Sequence, residues 1–256
     1  MLKILMCKEV LLCTCWSWTH PQEEQKEWRV PFCFIQAADP QLALMKAWRE
    51  GDRDGEGTKV QLTQQAVEAV NKLCCRPKFM VLCGDLVHAR PTTNIDPILK
   101  PDLKVDLRGT DPSIPLVFVS ENPDLGNTPT PETVAQFCNA WGDDYFSFWL
   151  FFDMSACPDL KDAKEAWLEG QLQRTSQGPG VTTKHVLVFQ HTLLHRAVIG
   201  LLSVCNQEVL LFLSFLIIRA ARVVVVTADQ VIHRYHSLEQ LSGRGMDEDL
   251  RKLQKA

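Results

Sequence analysis

A chain of 256 residues, 46% apolar and 23% charged, has the balance of a soluble globular protein and the length to bury a substantial core. A formal net charge of −4, with Lys and Arg spread along the chain, argues against a nucleic-acid partner, which needs a basic face to neutralise phosphates. Ten cysteines without a pair of C-x-x-C hooks point away from a zinc module and toward buried thiols in a reducing cytosol.

The N-terminus, MLKILMCKEVLLCTCWSW, has an early lysine and an apolar run interrupted by Lys8 and Glu9. No small-residue cleavage site follows, so residues 1–27 read as a poorly specified leader rather than a signal peptide. PFCFIQAADP predicts a buried strand ending in an acid and a proline, and a Gly/Asp-rich loop is expected from Gly51 to Gly57. TQQAVEAVNKLCC spaces Ala66, Val67, Val70 and Leu73 as one helix face, with Thr63 placed as an N-cap. KFMVLCGDLVHA predicts a second buried strand whose apolar run stops at Gly84-Asp85.

Pro91 to Pro115 reads as loop, and IPLVFVSENPD as a third buried strand. Helices are expected at Thr130–Trp141, opened by Pro131 and Glu132, and at Leu160–Leu172. KHVLVFQH predicts a fourth strand ending at a histidine. The apolar run from Val209 to Ile218, closed off by Arg219 and Arg222, is too short for the ~20 residues of a spanning helix, so a buried element is expected there. RVVVVTADQVIHRYHSL predicts a hairpin turning at Ala228 to Gln230, and residues 242–256 a charged helix.

Four apolar strands therefore each end in metal-capable residues: Asp39 with Gln41, Asp85 with His88, Asn122 with Asp124, and His191. In α/β architectures the loops at the carboxyl ends of strands converge on one crevice. Carboxylate, amide and imidazole donors meeting there suit Mn, Fe, Zn or Mg, and a bridging acid would hold two cations roughly 3.5–4 Å apart. His88 reads as a loop hydrogen-bonder, and His233 and His236 as structural or exposed residues.

These segments, with NTPTPETVAQFCNAWGDDYFSFW and RVVVVTADQVIHRYHSLEQL, resemble the calcineurin-like metallophosphoesterases, and among them a serine/threonine protein phosphatase branch of the cytoplasm. The resemblance implies a four-layer α/β/β/α sandwich spanning residues 28–241, interrupted near 150 and at 196–221. It implies two divalent metal ions held by Asp39, Gln41, Asp85, Asn122 and His191, with Asp85 bridging and Asn122 also touching the substrate phosphate. The reaction implied is in-line attack of water on the phosphorus of a phosphoprotein. The family's Gly-Asn-His-Asp reads Glu121-Asn122-Pro123-Asp124 here, so proline stands where the general-acid histidine belongs and Asp124 has no histidine to orient. The family's Gly-His-x-His segment, with two further histidine ligands, has no counterpart between His191 and Arg222. YFSFW runs directly into LFFDMSACP where the family has a buried strand, which leaves one sheet incomplete. The expected function is a metal-dependent phosphatase with impaired chemistry; the alternative is a non-catalytic pseudophosphatase or truncated isoform that acts by binding. A membrane anchor at the apolar segment is the less favoured third reading.

Overall fold

The computed structural model describes residues 2–4, 30–38, 54–84, 86, 106–119, 185–190, 208–213 and 220–255. The expected helices at 130–141 and 160–172 lie outside the described residues.

The main sheet grows from one strand. Strand β2, Phe32–Ala38, is buried along nearly its whole length, as an apolar run broken only by Gln36 requires of a strand covered on both faces. It pairs in parallel with β3, Met80–Cys83, which pairs in parallel with β4, Leu116–Val119. On its other side β2 pairs antiparallel with β7, Ala220–Val226, which turns back into β8, Val231–Ser237. The order is β4-β3-β2-β7-β8. The turn forms where the sequence places it. Thr227 Oγ1 accepts from the backbone N–H of Asp229 and Gln230, and its own backbone N–H donates to the Gln230 carbonyl at 2.9 Å.

A second sheet contains β5, His185–Gln190, between β1, Leu2–Ile4, and β6, Glu208–Leu213, all parallel. Two findings here go beyond the sequence expectations. Leu2–Ile4 is a strand within the stretch assigned to a leader. Glu208–Leu213, which takes in the first half of the apolar run from Val209, is a strand in register with β5, and the rest of the run lies outside the described residues.

Helix α1, Asp54–Asn71, connects β2 to β3. It starts well before Thr63, so Thr63 is a buried mid-helix residue and not an N-cap. The glycine-rich stretch expected as loop is helical from Asp54 onward. The buried face carries Thr63, Val67 and Val70, while Ala66 is only half-buried. At the C-terminus a helix, α3, Glu248–Lys255, lies within the stretch expected to be helical at 242–256, and a second short helix, α2, Leu238–Gly243, precedes it. Gly245, with φ of 70°, lies in the turn between them.

Two apolar layers hold these elements. On the helix side, Cys33 and Ile35 of β2, Leu82 of β3 and Val223 and Val225 of β7 pack with Val67 and Val70 of α1 and with Leu241, Met246 and Leu250 at the C-terminus. On the other side, alternate residues Phe32, Phe34, Val81, Val224 and Val226 pack together, and Leu187 of β5 is fully buried among them. Phe34 and Phe79 stack there with centroids 4.7 Å apart. Helices thus cover one face of the main sheet and the second sheet enters the core on the other. Among the described residues no helix is long and apolar enough to cross a membrane.

Candidate metal centre

The parallel part of the main sheet ends on one level. Ala38 lies opposite Cys83, and Cys83 opposite Val119. The next residues in the sequence are Asp39, the pair Gly84-Asp85, and Ser120 leading to Asn122. Three neighbouring parallel strands therefore end on one level, each followed in the sequence by a polar segment, and the carboxyl ends of such strands are where α/β sheets bind ligands. The fourth candidate, His191, directly follows Gln190 at the end of β5. That strand belongs to the other sheet, so the four strands do not form a single neighbouring set. Periodicity could not reveal this, because a buried apolar strand looks the same in either sheet.

Asp39, Gln41, Asp85, His88, Asn122, Pro123, Asp124 and His191 themselves lie outside the described residues. Among the described residues no group of three His, Cys, Asp or Glu comes together as a metal site. The flanks of Asp85 are defined, and both constrain it. Gly84 has φ of 61°, a left-handed conformation that turns the chain off β3 and that a side chain would resist. Leu86 is fully buried in the helix-side layer. Asp85 thus follows a sharp turn and precedes an anchor.

Behind the strand ends, on the face toward the second sheet, two polar side chains interrupt the apolar layer. Gln36 of β2 is fully buried, with Nε2 donating to Cys83 Sγ at 3.7 Å. Arg222 of β7 lies opposite Gln36 and is buried as well. Burial lowers the Arg222 pKa, while nearby Cys83 acts in the opposite direction. Its guanidinium lies 4.4 Å from the ring centroid of its cross-strand neighbour Tyr235. Arg222 is therefore an interior residue of β7 and not the cap of the preceding apolar run. The signal for both residues is in the sequence: Gln36 is the sole polar residue in FCFIQAA, and Arg222 immediately precedes four valines.

The two histidines of the hairpin diverge. His236 is buried, with Nε2 3.3 Å from Asp247 Oδ2 but not aligned for a hydrogen bond. His233 is exposed, edge-on to Tyr235 with ring centroids 6.4 Å apart.

By donor chemistry, the candidate set offers two carboxylates, two amide oxygens and one imidazole. This suits hard or borderline divalent cations and falls short of two complete coordination shells.

No protein-family model matches the chain. Curated relatives do. The chain is 49% identical to serine/threonine-protein phosphatase CPPED1 of Danio rerio over 294 aligned positions, covering 91% of this chain and 93% of the relative. It is 42% identical to the Rattus norvegicus protein of that name and 39% identical to that of Homo sapiens, each over 91% of this chain. An alignment of 294 positions exceeds the 256 residues of the chain, so these relatives carry residues inside the match that this chain lacks.

Proposed function

From the premise that the chain belongs to the CPPED1 family of calcineurin-like phosphoesterases, we propose that it is a metal-dependent serine/threonine protein phosphatase of impaired strength, acting on phosphoproteins in the cytoplasm. The observation that carries this reading is the level ending of β2, β3 and β4 at Ala38, Cys83 and Val119, each followed within three residues by a metal-capable side chain. Asp39 and Gln41 would hold one divalent cation, Asp85 would bridge to a second, and Asn122 and His191 would complete what is left of that second shell. When bound, such cations supply activation of water and neutralisation of the phosphoryl oxygens. Asn122 would orient the substrate phosphate through its amide, and Gly84 would set the direction from which Asp85 enters. The two-sheet core with helices on one face of the main sheet supports a four-layer α/β/β/α architecture, in which further helices would lie over the second sheet.

Impairment follows from chemistry at two places. Proline at position 123 offers no proton to the leaving alkoxide, and loss of a general acid costs roughly 10²–10⁴-fold in rate. The residues that this chain lacks relative to its relatives are consistent with a lost ligand segment between His191 and Arg222. Pro123 also favours a second reading, in which the fold is kept for binding phosphoproteins without turnover.

Hydrolysis of p-nitrophenyl phosphate and of a phosphoserine peptide in manganese buffer separates the two. The phosphatase reading expects slow turnover, abolished by chelation and by Asp85→Asn. Peptide binding without chelator-sensitive turnover would leave the binding reading standing alone.

A further inference from the structure

Two buried thiols from distant parts of the chain meet on the helix side of the main sheet. Cys33 of β2 is fully buried, and its Sγ donates to Cys75 Sγ at 3.3 Å. Cys75 lies in the connection from α1 to β3 and keeps 9% of its surface exposed. The backbone holds the two segments together, since the Lys78 N–H donates to the Cys33 carbonyl at 2.8 Å. Side chains from the C-terminus close the site: Gln254 Nε2 donates to Cys33 Sγ at 3.5 Å, and Met246 Sδ lies 3.7 Å from Cys75 Sγ. All three cysteines of this region, Cys33, Cys74 and Cys75, are free.

We propose that Cys33 and Cys75 are a redox modification site, closed to a disulfide by hydrogen peroxide or another small peroxide. The contact must shorten by roughly 1.3 Å to reach the ~2.05 Å of a disulfide. The pair is asymmetric in the way the chemistry needs. The hydrogen bond from Cys33 lowers the Cys75 pKa, and the same contact together with burial raises that of Cys33. Cys75, the less deeply buried thiol, is therefore the attacking group, and Cys33 the resolving one.

In the first step the Cys75 thiolate attacks a peroxide oxygen and the O–O bond breaks, giving a Cys75 sulfenic acid and hydroxide. In the second, Cys33 sulfur attacks Cys75 sulfur. The S–O bond breaks, the S–S bond forms, and hydroxide leaves with the Cys33 proton as water. In sum, two thiols and one hydrogen peroxide give one disulfide and two waters, with both sulfurs oxidised and the peroxide reduced. The bridge closes a loop of sequence separation 42 that contains α1, and it fixes the strand that runs to Asp39 against the exit of that helix. It is independent of the phosphatase reading and stands or falls without it.

The test uses the full reduced chain, treated with hydrogen peroxide, blocked with N-ethylmaleimide under denaturing conditions and mapped by peptide mass spectrometry. The expected product is one cross-linked peptide pair joining Cys33 to Cys75, lighter by two hydrogens than its parts and restored by dithiothreitol. Cys74→Ser should still form it completely. Cys33→Ser should leave Cys75 as a sulfenic acid trapped by dimedone. Cys75 joined to any other cysteine, or both thiols still alkylated at a dose that fully oxidises exposed Cys74, would overturn the proposal. The wild-type map alone decides these outcomes should Cys33→Ser fail to fold.

Discussion

At the scale of single residues, backbone conformation and burial decide what each position can do. Gly84 is the clearest case: at φ of 61° a Cβ is disfavoured, so Gly84→Ala should lower stability by about 1–2 kcal/mol, measured by urea denaturation. An unchanged midpoint would mean that the turn before Asp85 is not left-handed. His233 gives a pH dependence. Its pKa is lowered, first by partial desolvation of the otherwise exposed ring and then by the charges of Arg222 and Arg234. The unfolded chain then takes up the proton before the folded one does. The contribution is full above the unfolded value of ~6.5 and is lost as pH falls through the lower folded value. Denaturation midpoints measured from about pH 7 to about pH 5 should therefore drop more steeply for the wild type than for His233→Gln. The sequence signalled these residues unequally. Gly84-Asp85 closes an apolar run, which any reading of periodicity finds. Arg222 looked like the end of an apolar segment because nothing local distinguishes a cap from a cation paired across strands with Tyr235.

Among the elements, strands were more legible than helix ends. β2, β3, β4, β5 and β7 all fall where apolar runs predict, because a strand covered on both faces must be apolar throughout, and β8, exposed along its middle, is placed by the turn residues before it. The start of α1 was not legible. Gly55 and Gly57 are poor helix formers and read as loop, yet tertiary packing of Val67 and Val70 holds a helix that extends back through them. This has a direct check. Gly57→Ala should raise stability by about 0.5–1 kcal/mol if the stretch is helical, and should bring no gain if it is the loop that its composition suggests. The start of α2 is fixed by a capping box. Ser237 Oγ accepts from the Gln240 N–H at 3.1 Å, and Gln240 Oε1 accepts from the Ser237 N–H at 2.9 Å. Ser237→Ala should cost ~1 kcal/mol, read in the same denaturation assay.

Across the whole molecule, the partition of strands between two sheets is what the sequence could not convey, since β5 and β6 carry the same apolar signature as β2 and β3. That partition matters for function. Four candidate ligands, Asp39, Gln41, Asp85 and Asn122, would come from the ends of one sheet and His191 from the other, so the centre depends on how the sheets pack through Leu187 and its neighbours. The two losses in the proposed site therefore have different remedies, and the order in which they are repaired is a test. Each absent ligand leaves a position to water, and even loss of a group that only supports a ligand commonly costs 10–100-fold in affinity. A general acid acts only on a substrate already held by bound metal. Pro123→His alone should thus change phosphatase activity little. Inserting a Gly-His-x-His hairpin from a full-length relative between His191 and Arg222 should first tighten manganese binding, by ~10-fold or more in isothermal titration. Activity should rise only when that insertion is combined with Pro123→His and Glu121→Gly, by a further ~10²-fold or more. High activity in the unmodified chain, abolished by Asp85→Asn, would mean that other residues of this chain complete the metal shells.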